Sequence, residues 1–177
     1  ILIDPKGNII EGDQILYILT KDAINNQKFN STIVGTILTN SGLEISLKNK
    51  GIQLYRSDVG DKNVLQLMRQ TGSIIGGENS GHIINLEYSP SGDGLMTSLL
   101  VMKIMVESGK SIDELLDGLE LMTQFNCNIE TDLQKLSDHL ISKISEEENK
   151  KLNNGRVLIR KSGTEPVLRI TVESSDE

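Results

Sequence analysis

The sequence predicts a mixed-sheet α/β domain followed by a smaller α+β domain at the C-terminal end. Three observations carry the prediction. Over the first two thirds, β-branched runs alternate with apolar-periodic stretches that close on glycine, the β-α-β-α-β order of a layered domain. After Gly109 that alternation stops, and one charged amphipathic stretch lies between extended runs. The length, 177 residues with 37% hydrophobic, is enough to bury the core of one ordinary domain or two small ones.

"ILIDPKGNII" reads as a strand, a Pro-Lys-Gly-Asn turn and a second strand. A strand at the first residue suggests sequence upstream of it; a processed or tagged N-terminus is the alternative. Gly12 and Asp13 cap a helix, "QILYILTKDAI", with Ile15, Leu16, Ile18 and Leu19 on one side. "STIVGTIL" is continuous and β-branched, as a buried strand is. "SGLEISLKNKG" is a short helix from Ser41 to a stop at Gly51. "IQLYRSDV" is a strand that empties into Gly60 and Asp61, and "KNVLQLMRQTG" is a helix ending at Gly72. "SIIGGENSGHIINLEYS" holds two short strands around a glycine-rich centre. "SGDGLMTSLLVMKIMVESG" is a long amphipathic helix entered through Gly92, Asp93 and Gly94. A short helix at "SIDELLDGLELM" and a strand at "TQFNCNIE" follow. "TDLQKLSDHLISKISEEENKK" is one amphipathic helix with Leu133, Leu136, Leu140, Ile141 and Ile144 on a face. "GRVLIRKSG" and "PVLRITVES" close the chain as two strands. The boundary between the domains falls near Leu121 to Asn126, with a hinge expected near Gln124.

Composition excludes several function classes. Aromatics are 3% and Trp is absent, so stacking platforms for single-stranded nucleic acid are missing. A net charge of -7 repels phosphate backbones, so any bound anion needs a local, shaped site. The single cysteine, Cys127, excludes an internal disulfide and fits a reducing cytoplasm. His82 and His139 lie far apart and make no zinc-ligand spacing with it. No run is apolar enough to cross a membrane, and no signal peptide is visible.

Two motifs carry chemistry. In "RKSGTEPVLR", extended alternation turns Arg160, Ser162 and Thr164 to one side as the strand gives out. Gly163 permits a positive φ, and backbone N–H groups there can form a concave nest. Arg160 and Arg169 offer forked donors, and Pro166 stiffens the exit. The set suits a dianionic phosphate; a polar hairpin turn with two surface arginines fits the same residues. In "GGENSGH", Glu78, Ser80 and His82 alternate, and Gly76, Gly77 and Gly81 keep the backbone slim. These side chains suit a vicinal diol of a sugar. A hydrolytic reading, with His82 as base and Ser80 as nucleophile, lacks a nucleophile elbow and an Asp at a suggestive place after it. A glycine-rich turn with polar tips is the third reading. Asp93 in "SGDG" reads as an N-cap, and Lys62 in "VGDKN" as a cation at a strand-to-helix turn, facing ligand or solvent. Cys127 reads as a buried thiol and His139 as a helix-surface residue.

"GGENSGH", then "SGDG", then "RKSGTEPVLRITVE", in that order, resemble the α-D-phosphohexomutase superfamily, most closely its bacterial glucosamine-phosphate branch. "ILIDPKGNIIEGDQI" is similar to the stretch that follows the metal loop there. The resemblance implies a four-domain enzyme of which this sequence is the later part. Residues 1–12 would be the tail of domain two, 13–122 domain three, and 123–177 domain four, ending before a helix that usually follows. It implies that Glu78, Ser80 and His82 lie in the sugar-selecting loop and Lys62 in a further substrate-facing segment. It implies that Arg160, Ser162, Gly163, Thr164 and Arg169 grip the phosphate that is not reacting. The family moves phosphate with a phosphoserine and Mg²⁺ bound to an Asp-Gly-Asp-x-Asp-Arg loop, and takes a glucose or glucosamine 1,6-bisphosphate-type activator. Neither motif is spelled here, so no catalytic residue and no metal ligand is assigned to this chain, which is expected to be inactive by itself. The expected partner is a small phosphosugar, with no nucleic acid and no membrane, and the intact enzyme is expected to be cytoplasmic and homodimeric. Asn79 stands where relatives more often carry Gln, and Lys62 where they often carry Arg. A phosphomannomutase, a phosphoglucomutase and a non-catalytic sugar-phosphate module are the competing readings.

Overall fold

A computed structural model describes residues 2–24, 29–152 and 154–175. The chain divides into two compact units, Ile1–Glu120 and Leu121–Glu177.

The first unit opens with β1 (Leu2–Ile3) and β2 (Ile9–Ile10), paired antiparallel. The Asp4 carboxylate closes the turn between them, accepting from the backbone N–H of Lys6 and Asn8 and from the Asn8 side chain. Next come α1 (Gly12–Ala23), β3 (Thr32–Thr36), α2 (Ser41–Lys48), β4 (Gln53–Ser57), α3 (Asp61–Thr71), β5 (Ile75–Gly77) and β6 (Ile83–Asn85). They are followed by α4 (Gly94–Ser108) and α5 (Ile112–Leu115). The sheet order is β4-β3-β5-β6. β3 runs parallel to β4 and β5, while β6 turns back antiparallel on β5.

Period-2 alternation splits the sheet's apolar residues between two layers of helix. Ile33, Leu54, Ile75 and Ile83 join the core formed with α1, α2, α4 and α5. Val34 and Ile84, one residue along, pack on the other face against Val64 and Met68 of α3. Gly76 lets α3 approach, because a Cβ there would run into the Met68 side chain.

Several local expectations are corrected. Asp13 does not cap α1: it sits in the first turn, and the Glu11 N–H donates to the Gln14 side chain instead. Asn40, not Ser41, caps α2, accepting from the Gly42 N–H at 2.8 Å. Asp93 does cap α4, accepting from the Met96 N–H. That helix is not amphipathic. It buries Thr97, Val101 and Ile104, but Leu95, Leu99, Met102 and Val106 are exposed on its other side. Among the described residues no helix is long and apolar enough to cross a membrane.

Among its described residues the second unit is a three-stranded antiparallel sheet, order β7-β9-β8, with one α-helix. Its elements are β7 (Thr123–Glu130), α6 (Asp138–Asn149), β8 (Gly155–Lys161) and β9 (Val167–Ser174). The single helix expected from Thr131 is broken: Leu133–Lys135 form a 3-10 turn, and α6 starts afresh at a Ser137 cap. Two capping residues, Asp132 and Ser137, each offer a side-chain acceptor to a backbone N–H, which competes with one continuous helix. Asn149 covers the outer edge of β8, pairing through its amide with both the N–H and the C=O of Val157. Gln124, the expected hinge, lies inside β7 and donates to Glu173.

Candidate functional site

Each unit carries its own candidate site. In the first unit the chain passes from β3 through α2 to β4 on one side, then through α3 to β5 on the other. Strand order therefore reverses between β3 and β5, and the carboxyl ends of those strands are where such sheets hold ligands. The loop after β5, residues 78–82, sits there. It is a tight turn: the Gly81 N–H donates to the Glu78 carbonyl, the Glu78 N–H donates to the His82 carbonyl, and Gly81 takes a φ of 96°. The start of α1 presses against it. The Gly12 N–H donates to the Asn79 carbonyl at 2.9 Å, and a Cβ at Gly12 would collide with the Glu78 carbonyl oxygen. Beside it, Asp13 accepts from the Asn40 N–H at 2.8 Å, which ties α1 to the loop after β3.

The expected alternation of Glu78, Ser80 and His82 does not survive, because the strand ends at Gly77 and the chain turns. Glu78 is 9% exposed, and its Oε1 accepts from the Gly60 N–H at the head of α3. Ser80 and His82 stand exposed at the tip, with Oγ and Nδ1 3.4 Å apart. Lys62 is not in the turn but in the first turn of α3, with its side chain in solvent. A cavity of about 300 Å³ opens beside Asn79, Ser80 and Gly81, floored by Ile10 and Ile15.

In the second unit, residues 162–166 join β8 to β9 as a hairpin loop. Arg160 and Arg169 stand directly opposite at its neck, so both guanidinium groups rise from the same face. Each is half-buried, and the Nε of each is enclosed without a hydrogen-bond partner among the described residues. Burial first, and then the Arg169 charge, depress the Arg160 pKa. Arg169 pairs with Glu165 at 2.6 Å, whereas no carboxylate pairs with Arg160 among the described residues. Ser162 is buried and is the hub of the loop: its Oγ accepts from the N–H of Thr164 and of Glu165, and its own N–H donates to Val167. Thr164 and Gly163 are exposed. Gly163 does not use the left-handed region expected of it, so the loop is shaped by the Ser162 hydroxyl rather than by a glycine nest. The arrangement leaves the Arg160 fork, the part of Arg169 not held by Glu165, and the Ser162 hydroxyl hydrogen as donors.

Sequence reasoning missed three contributors. Gly12 shapes the 78–82 loop from a distant element, and Gly60 supplies the amide that turns Glu78 inward. Glu165 is the third. Only the five-residue spacing between β8 and β9 hinted at the Arg160–Arg169 opposition, since a symmetric hairpin across "SGTEP" pairs the two residues.

The first unit is thus an α/β/α layer with a glycine-rich loop at a strand-order reversal, and the second carries a hairpin loop flanked by two opposed arginines. Residues 11–122 match the phosphoglucomutase/phosphomannomutase α/β/α domain III, and residues 102–177 match the C-terminal domain of the same proteins. The chain belongs to the phosphoglucomutase/phosphomannomutase family. It is 44% identical to phosphoglucosamine mutase 1 of Shewanella amazonensis over 99% of its length, and 40% identical to phosphoglucosamine mutase of Legionella pneumophila. It spans about 40% of the length of these relatives. Its fold is that of N-acetylphosphoglucosamine mutase from Aspergillus fumigatus in complex with GlcNAc-6P and magnesium, with a TM-score of 0.79 at 18% identity over 99% of this chain and 46% of that one. A phosphoglucomutase/phosphomannomutase family protein of Burkholderia thailandensis gives 0.77 at 22%, over 99% of this chain and 40% of that one.

Proposed function

We propose that this chain grips the phosphosugar for a phosphoglucosamine mutase, which interconverts glucosamine 6-phosphate and glucosamine 1-phosphate through a bisphosphorylated intermediate. The observation that carries the reading is Arg160: a half-buried cation with no counter-ion among the described residues, opposite a second arginine at the neck of a hairpin loop. Identities of 40–44% to phosphoglucosamine mutases support the choice of sugar.

In this reading Arg160, Ser162, Gly163, Thr164 and Arg169 hold the phosphate that is not reacting. Ser80 and His82 meet sugar hydroxyls from the exposed tip, and Glu78 contributes the carboxylate oxygen not engaged by Gly60. Lys62 attracts the anionic substrate from the head of α3. Their work is binding: contacts remote from the reacting phosphorus hold the sugar so that either phosphate can be presented, which lowers the entropic part of the barrier.

The sequence spells no phosphoserine motif and no Asp-Gly-Asp-x-Asp-Arg loop. Among the described residues no group of three His, Cys, Asp or Glu is placed to hold a metal. The residues present therefore do not fit Mg²⁺, and no step through it is assigned to them. The Aspergillus protein is described with magnesium and, in a second complex, with glucose 1,6-bisphosphate. We assign both to the intact enzyme, together with a phosphorylated serine, a cytoplasmic setting, amino-sugar supply to the cell wall and a homodimer.

Titrating the 177-residue protein with glucosamine 6-phosphate, followed by amide NMR, tests the reading. Shifts at Ser162–Glu165 and Ser80–His82 are expected, and Arg160→Ala should remove the former. An unresponsive Ser162 loop, or one indifferent to Arg160→Ala, would overturn the phosphate role. No mutase turnover is expected from this chain by itself; clear turnover would reject the assignment of all its residues to binding.

A further inference from the structure

The anion loop already contains an anion to which no role has been assigned, the Glu165 carboxylate. It meets the Arg169 Nη2 at 2.6 Å. The pair is exposed, but the backbone of Glu165, from which the carboxylate reaches Arg169, is pinned on both sides. Its N–H donates to the Ser162 Oγ, and its carbonyl accepts from the Val167 N–H at 2.8 Å. Pro166 stiffens the link between those two bonds. Glu165 thus touches two groups proposed to hold the phosphate, Ser162 and Arg169, while Arg160 across the neck has no carboxylate of its own among the described residues.

Two guanidiniums and one carboxylate leave a net charge of +1 at the loop. A phosphate dianion entering beside an undisturbed Glu165 meets one free arginine and one occupied arginine. It also feels a like charge within a few ångströms. If Glu165 withdraws, the same dianion meets two free arginines. We propose that Glu165 sets the phosphate affinity of this loop: it occupies Arg169 in the free protein and yields that arginine to the incoming phosphate. The inference rests on the phosphate role proposed for Arg160 and Arg169. It also fits a reaction in which the gripped phosphate must be released and the other end taken, since an internal competitor weakens the grip without loosening the loop.

Glu165→Gln tests this, because the amide keeps the size and an acceptor for Arg169 but loses the charge. With inorganic phosphate and glucosamine 6-phosphate as probes, the variant should bind about two- to fivefold more tightly than the parent, the range of an exposed ion pair. Unchanged or weaker binding would overturn the inference and leave Glu165 a structural tie. Arg160→Ala separates the two levels: if it abolishes phosphate binding while Glu165→Gln fails to tighten it, only the role of Glu165 is lost. If Arg160→Ala changes nothing, the phosphate reading fails and takes Glu165 with it. A second measurement needs no variant. In the parent protein the Arg169 side-chain Nε–H and the Glu165 carboxyl ¹³C resonances should move with phosphate at the same midpoint as Arg160. Movement of Arg160 with Arg169 and Glu165 unmoved would overturn the exchange.

Discussion

Two pairs of residues bridge β8 and β9 on the same face of the same sheet, and they have opposite fates. Arg156 faces Glu173, and Arg160 faces Arg169. The Arg156 fork closes on a Glu173 side chain with no exposure, at 2.7 and 3.0 Å, and Gln124 adds a third bond at 3.0 Å. Four residues along, the Arg160 fork finds another cation. Like charges directly opposite destabilise a sheet, whereas opposite charges support it. The Arg156 pair is closed within the protein, and the Arg160 pair, next to the loop, is left open to something else.

The sharpest way to break this contrast is to remove the satisfied partner. Glu173→Ala takes the buried carboxylate away from Arg156 and should cost the second unit about 3–5 kcal/mol, read by urea unfolding. A loss no larger than that of a surface substitution would mean the two pairs do not differ in kind. Gly12→Ala asks the same question of the other loop, which is held by shape rather than charge. The collision with the Glu78 carbonyl should cost about 1–3 kcal/mol and weaken the glucosamine 6-phosphate response at Ser80 and His82. Full retention of both stability and response would show that Gly12 does not set the loop. Arg160→Ala should leave stability unchanged or raise it by up to about 1 kcal/mol, while phosphate binding disappears. A large destabilisation would make Arg160 a structural residue like Arg156. The smallest effect concerns Asp4, whose carboxyl is held below its ordinary pKa chiefly by the Asn8 side-chain bond, against the opposing effect of burial. A depressed acid contributes stability above its unfolded pKa and loses it as pH falls through the folded value. The Lys6 and Asn8 amides should therefore loosen on acidification in the parent but not in Asp4→Asn, which amide exchange can read.

Much of this was legible in the sequence. Thr123–Glu130 appears as a strand in both, and Gly72 and Gly109 end their helices as expected, each with a positive φ in the structure. The glycines, hydroxyls and arginines of both loops stood out in the sequence, but a polar turn fitted each set as well, and the family resemblance rather than the residue chemistry chose between the readings. Illegible were the turn at Glu78, the break before α6 and the bare side of α4. In each, a local rule was extended past the element that justifies it. Alternation at Glu78 ended with β5, and the apolar period before Ser137 crossed two side-chain caps. The α4 pattern was read as one face when it has two.

By itself, then, the sequence determined most of the strands and helices and the two loop motifs, because periodicity and capping act over a few neighbours. Only the tertiary structure decided which of those groups remain unspent. Glu78 is claimed by Gly60, 18 residues away, and Arg169 by Glu165, while Arg160 meets a like charge through strand register. Those outcomes depend on which distant backbone or side chain arrives opposite. That is a property of packing and register, and it is what makes one loop a backbone turn held by shape and sets two arginines against each other at the neck of the other.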